Sequence, residues 1–258
     1  MSKTIAIVQA RMGSSRLPGK VMKTLAGRTV LDHVADRCLA IPGISAVWFA
    51  VPEGRADDPL ADWAAARDDL RLFRGSEQDV LSRYHGAALA AGAGPGDYIL
   101  RATADCPLLD PMVCSGVIET ARQARALYTS NNNPPSWPHG LDCECIPFEA
   151  LDQANAKATE RFDREHVLPF VRRRAAAESA NFPCPEGDLS RHRWTLDEPA
   201  DFAFLSALFD RIGPRPESFS YTLALAICLQ DPSLQELNAG ITTPSYQVAT
   251  RGPGASGV

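Results

Sequence analysis

The sequence predicts an α/β fold, a mostly parallel sheet with helices on both faces, on three observations. Strand-length apolar runs alternate with helix-length amphipathic segments. At 258 residues and 45% hydrophobic composition the chain can bury a sizeable core. The first apolar run also passes directly into a glycine-containing cationic loop, at the place where open α/β sheets hold their ligands.

Taken in order, Ile5 to Ala10 reads as a buried strand, Val30 to Leu39 as a helix, Val47 to Val51 as a strand and Asp58 to Arg67 as a helix. Arg71 to Arg74 is a short strand, Val80 to Ala91 a helix, Tyr98 to Ala102 a strand and Met112 to Ala126 a helix. Successive βαβ units of this kind demand parallel pairing. The turn formers Ser130-Asn131-Asn132-Asn133-Pro134-Pro135-Ser136 then end the alternation. Beyond them Leu141 to Pro147 reads as a strand, Phe148 to Ala156 and Arg161 to Arg174 as helices, and Arg193 to Leu196 as a strand. Asp201 to Phe209, Tyr221 to Leu229 and Leu234 to Asn238 read as helices. One domain is expected over 1–240, with 130–182 as an arm or small subdomain, followed by a polar, glycine-rich and disordered tail over 241–258.

The loop after the first strand is the most informative stretch. In IVQARMGSSRLPGK, Arg11, Arg16 and Lys20 supply three cations within ten residues, Gly13 and Gly19 let a ligand approach the backbone, and Ser14 and Ser15 add hydroxyls. Such a loop suits a triphosphate. It is neither a P-loop nor a dinucleotide fingerprint, since neither glycine spacing is present. The alternative is an ordinary solvated surface loop.

Composition narrows the partners. The formal charge of −5 disfavours nucleic acid, so phosphate binding has to be local. No leader-like segment and no apolar run near ~18 residues is present, which leads us to expect a cytoplasmic protein without a membrane partner. Seven scattered cysteines do not form a disulfide pattern.

Two carboxylates stand where strands end. Asp105, in YILRATADCPLLDP, is placed as a Mg²⁺ ligand opposite the cationic loop, or equally as a turn aspartate ahead of Pro107. Asp197, in RWTLDEP, could complete the metal site, or simply start a helix with Pro199 in its first turn. Metal on the phosphates and fixed cations beside a leaving pyrophosphate are what nucleotidyl transfer needs.

Five blocks in order carry a resemblance. Following the opening stretch, these five, RGSEQDVLSRY, RATADCPLLDP, HGLDCECIPFEAL, REHVLPF and RWTLDEPADF, resemble the sugar nucleotidyltransferases, as the opening stretch itself does. Within these, they resemble the spore-coat polysaccharide type of cytidylyltransferase, related to acylneuraminate and ketodeoxyoctonate cytidylyltransferases. Gln78, Ala104 and Leu168 depart from the family pattern. The resemblance implies a glycosyltransferase-A-like three-layer α/β/α sandwich. It further implies a Mg²⁺-dependent enzyme that moves CMP from CTP to an acidic sugar and releases pyrophosphate, in surface polysaccharide or glycan biosynthesis. Arg11 and Lys20 would be catalytic; Ser14, Ser15 and Arg16 would hold the triphosphate; Gly75, Ser76 and Asp79 would lie near base and ribose; Asp105 and Asp197 would hold the metal. Asp142, Glu144, Arg164 and His166 match blocks on the acceptor side, and homodimers through the segment equivalent to 130–182 are common in the family.

Other readings compete. A glycosyltransferase of the same fold would use a nucleotide sugar, but its usual Asp-x-Asp motif is missing around Asp105. A cytidylyltransferase could instead take a phosphonate or another non-sugar acceptor. Cys143, Cys145, Cys106 and His139 could be imagined as a zinc site, though no Cys-x-x-Cys pair exists. His166 could be a base, a carboxylate binder or a capping histidine, and Trp137 a lid or a loop anchor.

Overall fold

A computed structural model describes residues 2–213 and 219–241. Apart from Ile241, the tail expected over 241–258 lies outside these residues. The strands are β1 (Thr4–Gln9), the ribbon β2 (Thr24–Leu25) and β3 (Arg28–Thr29), β4 (Ala46–Pro52), β5 (Arg71–Gly75), β6 (Tyr98–Thr103), β7 (Tyr128–Ser130), β8 (Glu144–Pro147) and β9 (Ser179–Asn181). Apart from the ribbon they form one sheet in the order β5-β4-β1-β6-β8-β7-β9. Pairing is parallel except where β8 runs antiparallel to β6 and β7.

Strand alternation builds the layers. Ala6 and Val8 of β1 face one side, against α1 (Val30–Leu39), α2 (Asp58–Ala65) and α4 (Pro111–Ala124). Ile5 and Ile7 face the other, against α3 (Val80–Ala90), α5 (Phe148–Lys157) and the short α7 (Pro169–Arg174), while the short α6 (Arg161–His166) packs on α3 and α7. The result is the expected three-layer sandwich. A third core joins α8 (Pro199–Ile212), α9 (Tyr221–Gln230) and α10 (Ser233–Glu236) to Leu17, Leu25, Trp137 and Trp194.

Several expectations need correction. The segment 130–182 is not set apart as a subdomain, since β8, β7 and β9 extend the central sheet. The strand expected from Leu141 begins only at Glu144, because the Leu141 N–H closes a turn onto the Pro138 carbonyl and the Cys143 N–H donates to Asn131 Oδ1. The single helix expected over Arg161 to Arg174 is split at Val167, whose φ of 71° reverses the backbone and lets the Leu168 N–H donate to the His166 carbonyl. Residues 193–196 form only an isolated bridge between Arg193 and His139. The short strands β7 and β9 escaped the sequence reading because three residues carry too little periodicity.

The chain builds β1, β4 and β5 on one side and then crosses to β6 on the other. The order therefore reverses beside β1, and the loops leaving β1 and β6 meet over the crevice this creates.

Candidate active site

Local chemistry shapes the loop after β1. Gly19, at φ 65°, donates its N–H to the Met12 carbonyl and closes the loop, while the buried Asp57 carboxylate accepts the Met12 N–H at 2.7 Å. Ser14 Oγ accepts the Leu17 N–H at 3.3 Å. Arg11 and Ser15 are exposed on the same loop.

Lys20 is where the site converges. Its ammonium donates to Asp105 Oδ2 at 2.8 Å, to Asp197 Oδ1 at 2.7 Å and to the Leu196 carbonyl at 2.8 Å. Desolvation by itself would lower the Lys20 pKa, but Asp105 and Asp197 more than reverse this and the group is raised. Desolvation would likewise raise Asp105, and the Lys20 ammonium overrides it, holding the carboxyl well below its ordinary range. Arg16 adds a second cation, 3.5 Å from Asp197 and 3.2 Å from Glu198.

Backbone contacts bring the two aspartates together. The Leu196 N–H donates to the Asp105 carbonyl at 2.8 Å, and Thr195 Oγ1 does so at 3.3 Å. Asp201 then fixes the turn after Asp197: it accepts the N–H groups of Asp197 and Glu198 and a two-pronged contact from Arg193. Gly140, at φ 116°, lies so close to this strap that a Cβ would sit 2.6 Å from the Trp194 carbonyl carbon. Ala104 is not among the positive-φ residues, so alanine fits beside Asp105 without backbone strain.

Asp105 and Asp197 line one wall of a cavity of about 390 Å³. Asp142, Glu144 and His166 line it as well, together with Arg101, Arg172, His139, Asn132 and Asn133. Arg164 is not among the lining residues: it grips Asp79 at 2.5 and 2.9 Å and the Asn155 carbonyl at 2.8 Å. Asp79 in turn accepts the Ser82 N–H at the start of α3, and Ser76 Oγ accepts the Asp79 N–H. Gly75 closes β5 against the Arg83 side chain. Gly75, Ser76 and Asp79 therefore stand apart from the cavity wall and organise a helix start. Trp137 is 3% exposed and donates to the Phe182 carbonyl, so it anchors its loop.

The His166 ring lies tilted against Phe162, with 4.5 Å between ring centroids. Partial desolvation lowers its pKa, Glu165 opposes this, and Arg101 lowers it further. All seven cysteines are free and buried, and among the described residues no group of three or more His, Cys, Asp or Glu could hold a metal unaided. This removes the imagined zinc site. Asp105 and Asp197 offer two hard carboxylates facing a cavity, a donor set that fits Mg²⁺ once substrate phosphates complete the shell.

Sequence reasoning missed Arg101 and Arg172. Arg101 was in view, at an alternate position of the strand leading to Asp105, whereas Arg172 sits in a three-arginine run that reads as a solvated helix face.

Comparison with known proteins adds independent findings. The family model for cytidylyltransferases matches residues 5–193. The spore coat polysaccharide biosynthesis protein SpsF of Bacillus subtilis is 30% identical over 84% of this chain and 90% of its own length. A 3-deoxy-manno-octulosonate cytidylyltransferase of Escherichia coli is 26% identical over 98% of this chain and 91% of its own. A cytidylyltransferase from Leptospira borgpetersenii superposes with a TM-score of 0.84 at 26% identity, covering 94% of this chain and 99% of that one.

Proposed function

The chain belongs to the cytidylyltransferase family and is a nucleotidyltransferase, and from that premise we propose that it transfers CMP from CTP to an acidic sugar with release of pyrophosphate. One observation carries the reading: the cationic loop leaving β1 places Lys20 between Asp105 and Asp197 at the edge of the cavity. A hydroxyl of the acceptor, held in the cavity, attacks the α-phosphorus of CTP in line; the new O–P bond forms as the bond to the bridging α,β oxygen breaks, the electron pair leaves with pyrophosphate, and the hydroxyl proton passes to solvent water. Arg11, Arg16 and Lys20 neutralise charge on the triphosphate, with Ser14 and Ser15 donating to its oxygens. A cation ~4 Å from a phosphate oxygen is worth ~4 kcal/mol at an effective dielectric near 20. When bound, Mg²⁺ would sit on Asp105 and Asp197 and polarise the phosphate oxygens.

Relatives named for ketodeoxy acid acceptors, 3-deoxy-manno-octulosonate and its 8-amino-3,8-dideoxy analogue, support the acidic acceptor, and the SpsF likeness supports a role in surface polysaccharide or glycan assembly. Family habit supports a homodimer, which sedimentation would test, and a cytoplasmic site of action, where CTP is available. The experiment for the reaction is pyrophosphate release with Mg²⁺, each nucleoside triphosphate in turn and a panel of sugar acids, phosphosugars and phosphonates. Release confined to CTP with an acid supports the reading. A folded protein that neither binds CTP nor releases pyrophosphate would overturn it.

A further inference from the structure

At the acceptor side of the cavity lies a buried charge cluster that the transfer step does not use. Arg101 on β6 and Glu144 on β8 are cross-strand partners, joined by Arg101 Nη1 donating to Glu144 Oε2 at 2.6 Å. Arg172, arriving from α7, donates to Glu144 Oε1 at 2.8 Å and to the Tyr128 hydroxyl at 2.9 Å, and that hydroxyl donates to Glu144 Oε1 at 2.7 Å. Two guanidiniums thus share one carboxylate, leaving an excess of one positive charge against the cavity. Glu144 lies beneath, its side chain 6% exposed, while the Arg101 and Arg172 side chains are each 21% exposed and line the cavity. Arg101 also keeps a buried Nε–H with no acceptor among the described residues.

The other charges on the wall are accounted for elsewhere. Lys20 engages Asp105 and Asp197, and Asp142 accepts the Gly140 N–H at 2.9 Å with the His139 imidazole 3.8 Å away. We propose that Arg101 and Arg172 form the receptor for a single carboxylate of the acceptor, with Glu144 and Tyr128 as positioning residues that hold the two guanidiniums against the cavity. The inference rests on the acidic-acceptor reading and narrows it. One planar monoanion matches the excess charge and the forked donors, whereas a dianionic phosphonate would leave a second negative charge beside Glu144.

The test is calorimetric binding of N-acetylneuraminate and 3-deoxy-manno-octulosonate to the full chain, each beside its neutral methyl ester, with methylphosphonate at a pH above its second ionisation as the dianionic comparison. One acid should bind at least about tenfold more tightly than its ester, and Arg101→Gln and Arg172→Gln should each abolish that preference. Tyr128→Phe, which leaves every charge in place, should reduce the acid-to-ester ratio about threefold with ester binding unchanged. Equal binding of acid and ester, no binding of either acid, tighter binding of the phosphonate, or a preference surviving both arginine variants would overturn the proposal. CTP binding on the same samples judges the transferase reading separately, because none of these substitutions touches the loop leaving β1.

Discussion

The Lys20 ammonium and the Asp105 carboxylate hold each other in their charged forms, and the charge of Asp197 adds to the field that raises Lys20. Lys20→Met should therefore cost about 1–3 kcal/mol of stability by leaving two carboxylates facing one another. Mg²⁺ should raise the Tm of that variant more than the Tm of an Asp105→Asn/Asp197→Asn double variant. Equal shifts in thermal melts would show that the ion binds elsewhere. For turnover, the double variant should lose most Mg²⁺-dependent pyrophosphate release while keeping its native circular dichroism. Glu144 gives the clearest pH signature. Desolvation would raise its pKa, but Arg101 and then Arg172 outweigh it and bring the group from 4.5 to about 2. Because the folded value lies below the unfolded one, the stabilisation is complete above pH 4.5 and is lost as the pH falls toward 2. Urea unfolding across that window should show a steeper loss for the wild type than for Glu144→Gln.

Among the elements, the strap from Arg193 to Asp201 matters most, since its backbone sets Asp197 beside Asp105. Asp201 is fully buried and takes hydrogen bonds from Arg193, Asp197, Glu198 and Asn238. Asp201→Asn should cost about 3–5 kcal/mol, because it removes the charge that pairs with the largely buried Arg193 guanidinium at 2.8 Å. The same variant should lower kcat/KM through misplacement of Asp197, read as pyrophosphate release per folded enzyme. Gly140→Ala acts from the opposing side: its Cβ would meet the Trp194 backbone, and its φ of 116° is hostile to any side chain. We expect a lower Tm together with weaker metal response, and a Tm unchanged within a degree or so would refute the contact. The helices and parallel strands themselves were legible, because each is encoded by apolar spacing over a few residues. The break at Val167 was not, since nothing in the residues around Val167 announces a left-handed valine, and only packing of α6 on α3 and of α7 on the sheet holds one there.

At the scale of the molecule, three cores divide the work. Two sandwich the sheet, and the third anchors the C-terminal helices to Leu17 of the loop leaving β1, Leu25 of the ribbon, Trp137, and Trp194 of the strap. Phe204→Ala, in that third core, should cost about 3–5 kcal/mol and weaken CTP binding although the residue touches no site group. Coincident far-ultraviolet and tryptophan transitions would show that the cores unfold together. Periodicity, the cationic loop and the ordered blocks were enough to determine an α/β nucleotidyltransferase with a cationic loop after its first strand and two carboxylates at later strand ends, because each of these is written within a short stretch of chain. Tertiary structure alone decided that Lys20 meets Asp105 and Asp197 across 85 and 177 residues, that β8 inserts antiparallel to β6, that Arg164 turns to Asp79, and that Arg101 and Arg172 share Glu144. Spacing along the chain reports which face of an element is buried, whereas the partner it meets is chosen by the packing of segments far apart in sequence.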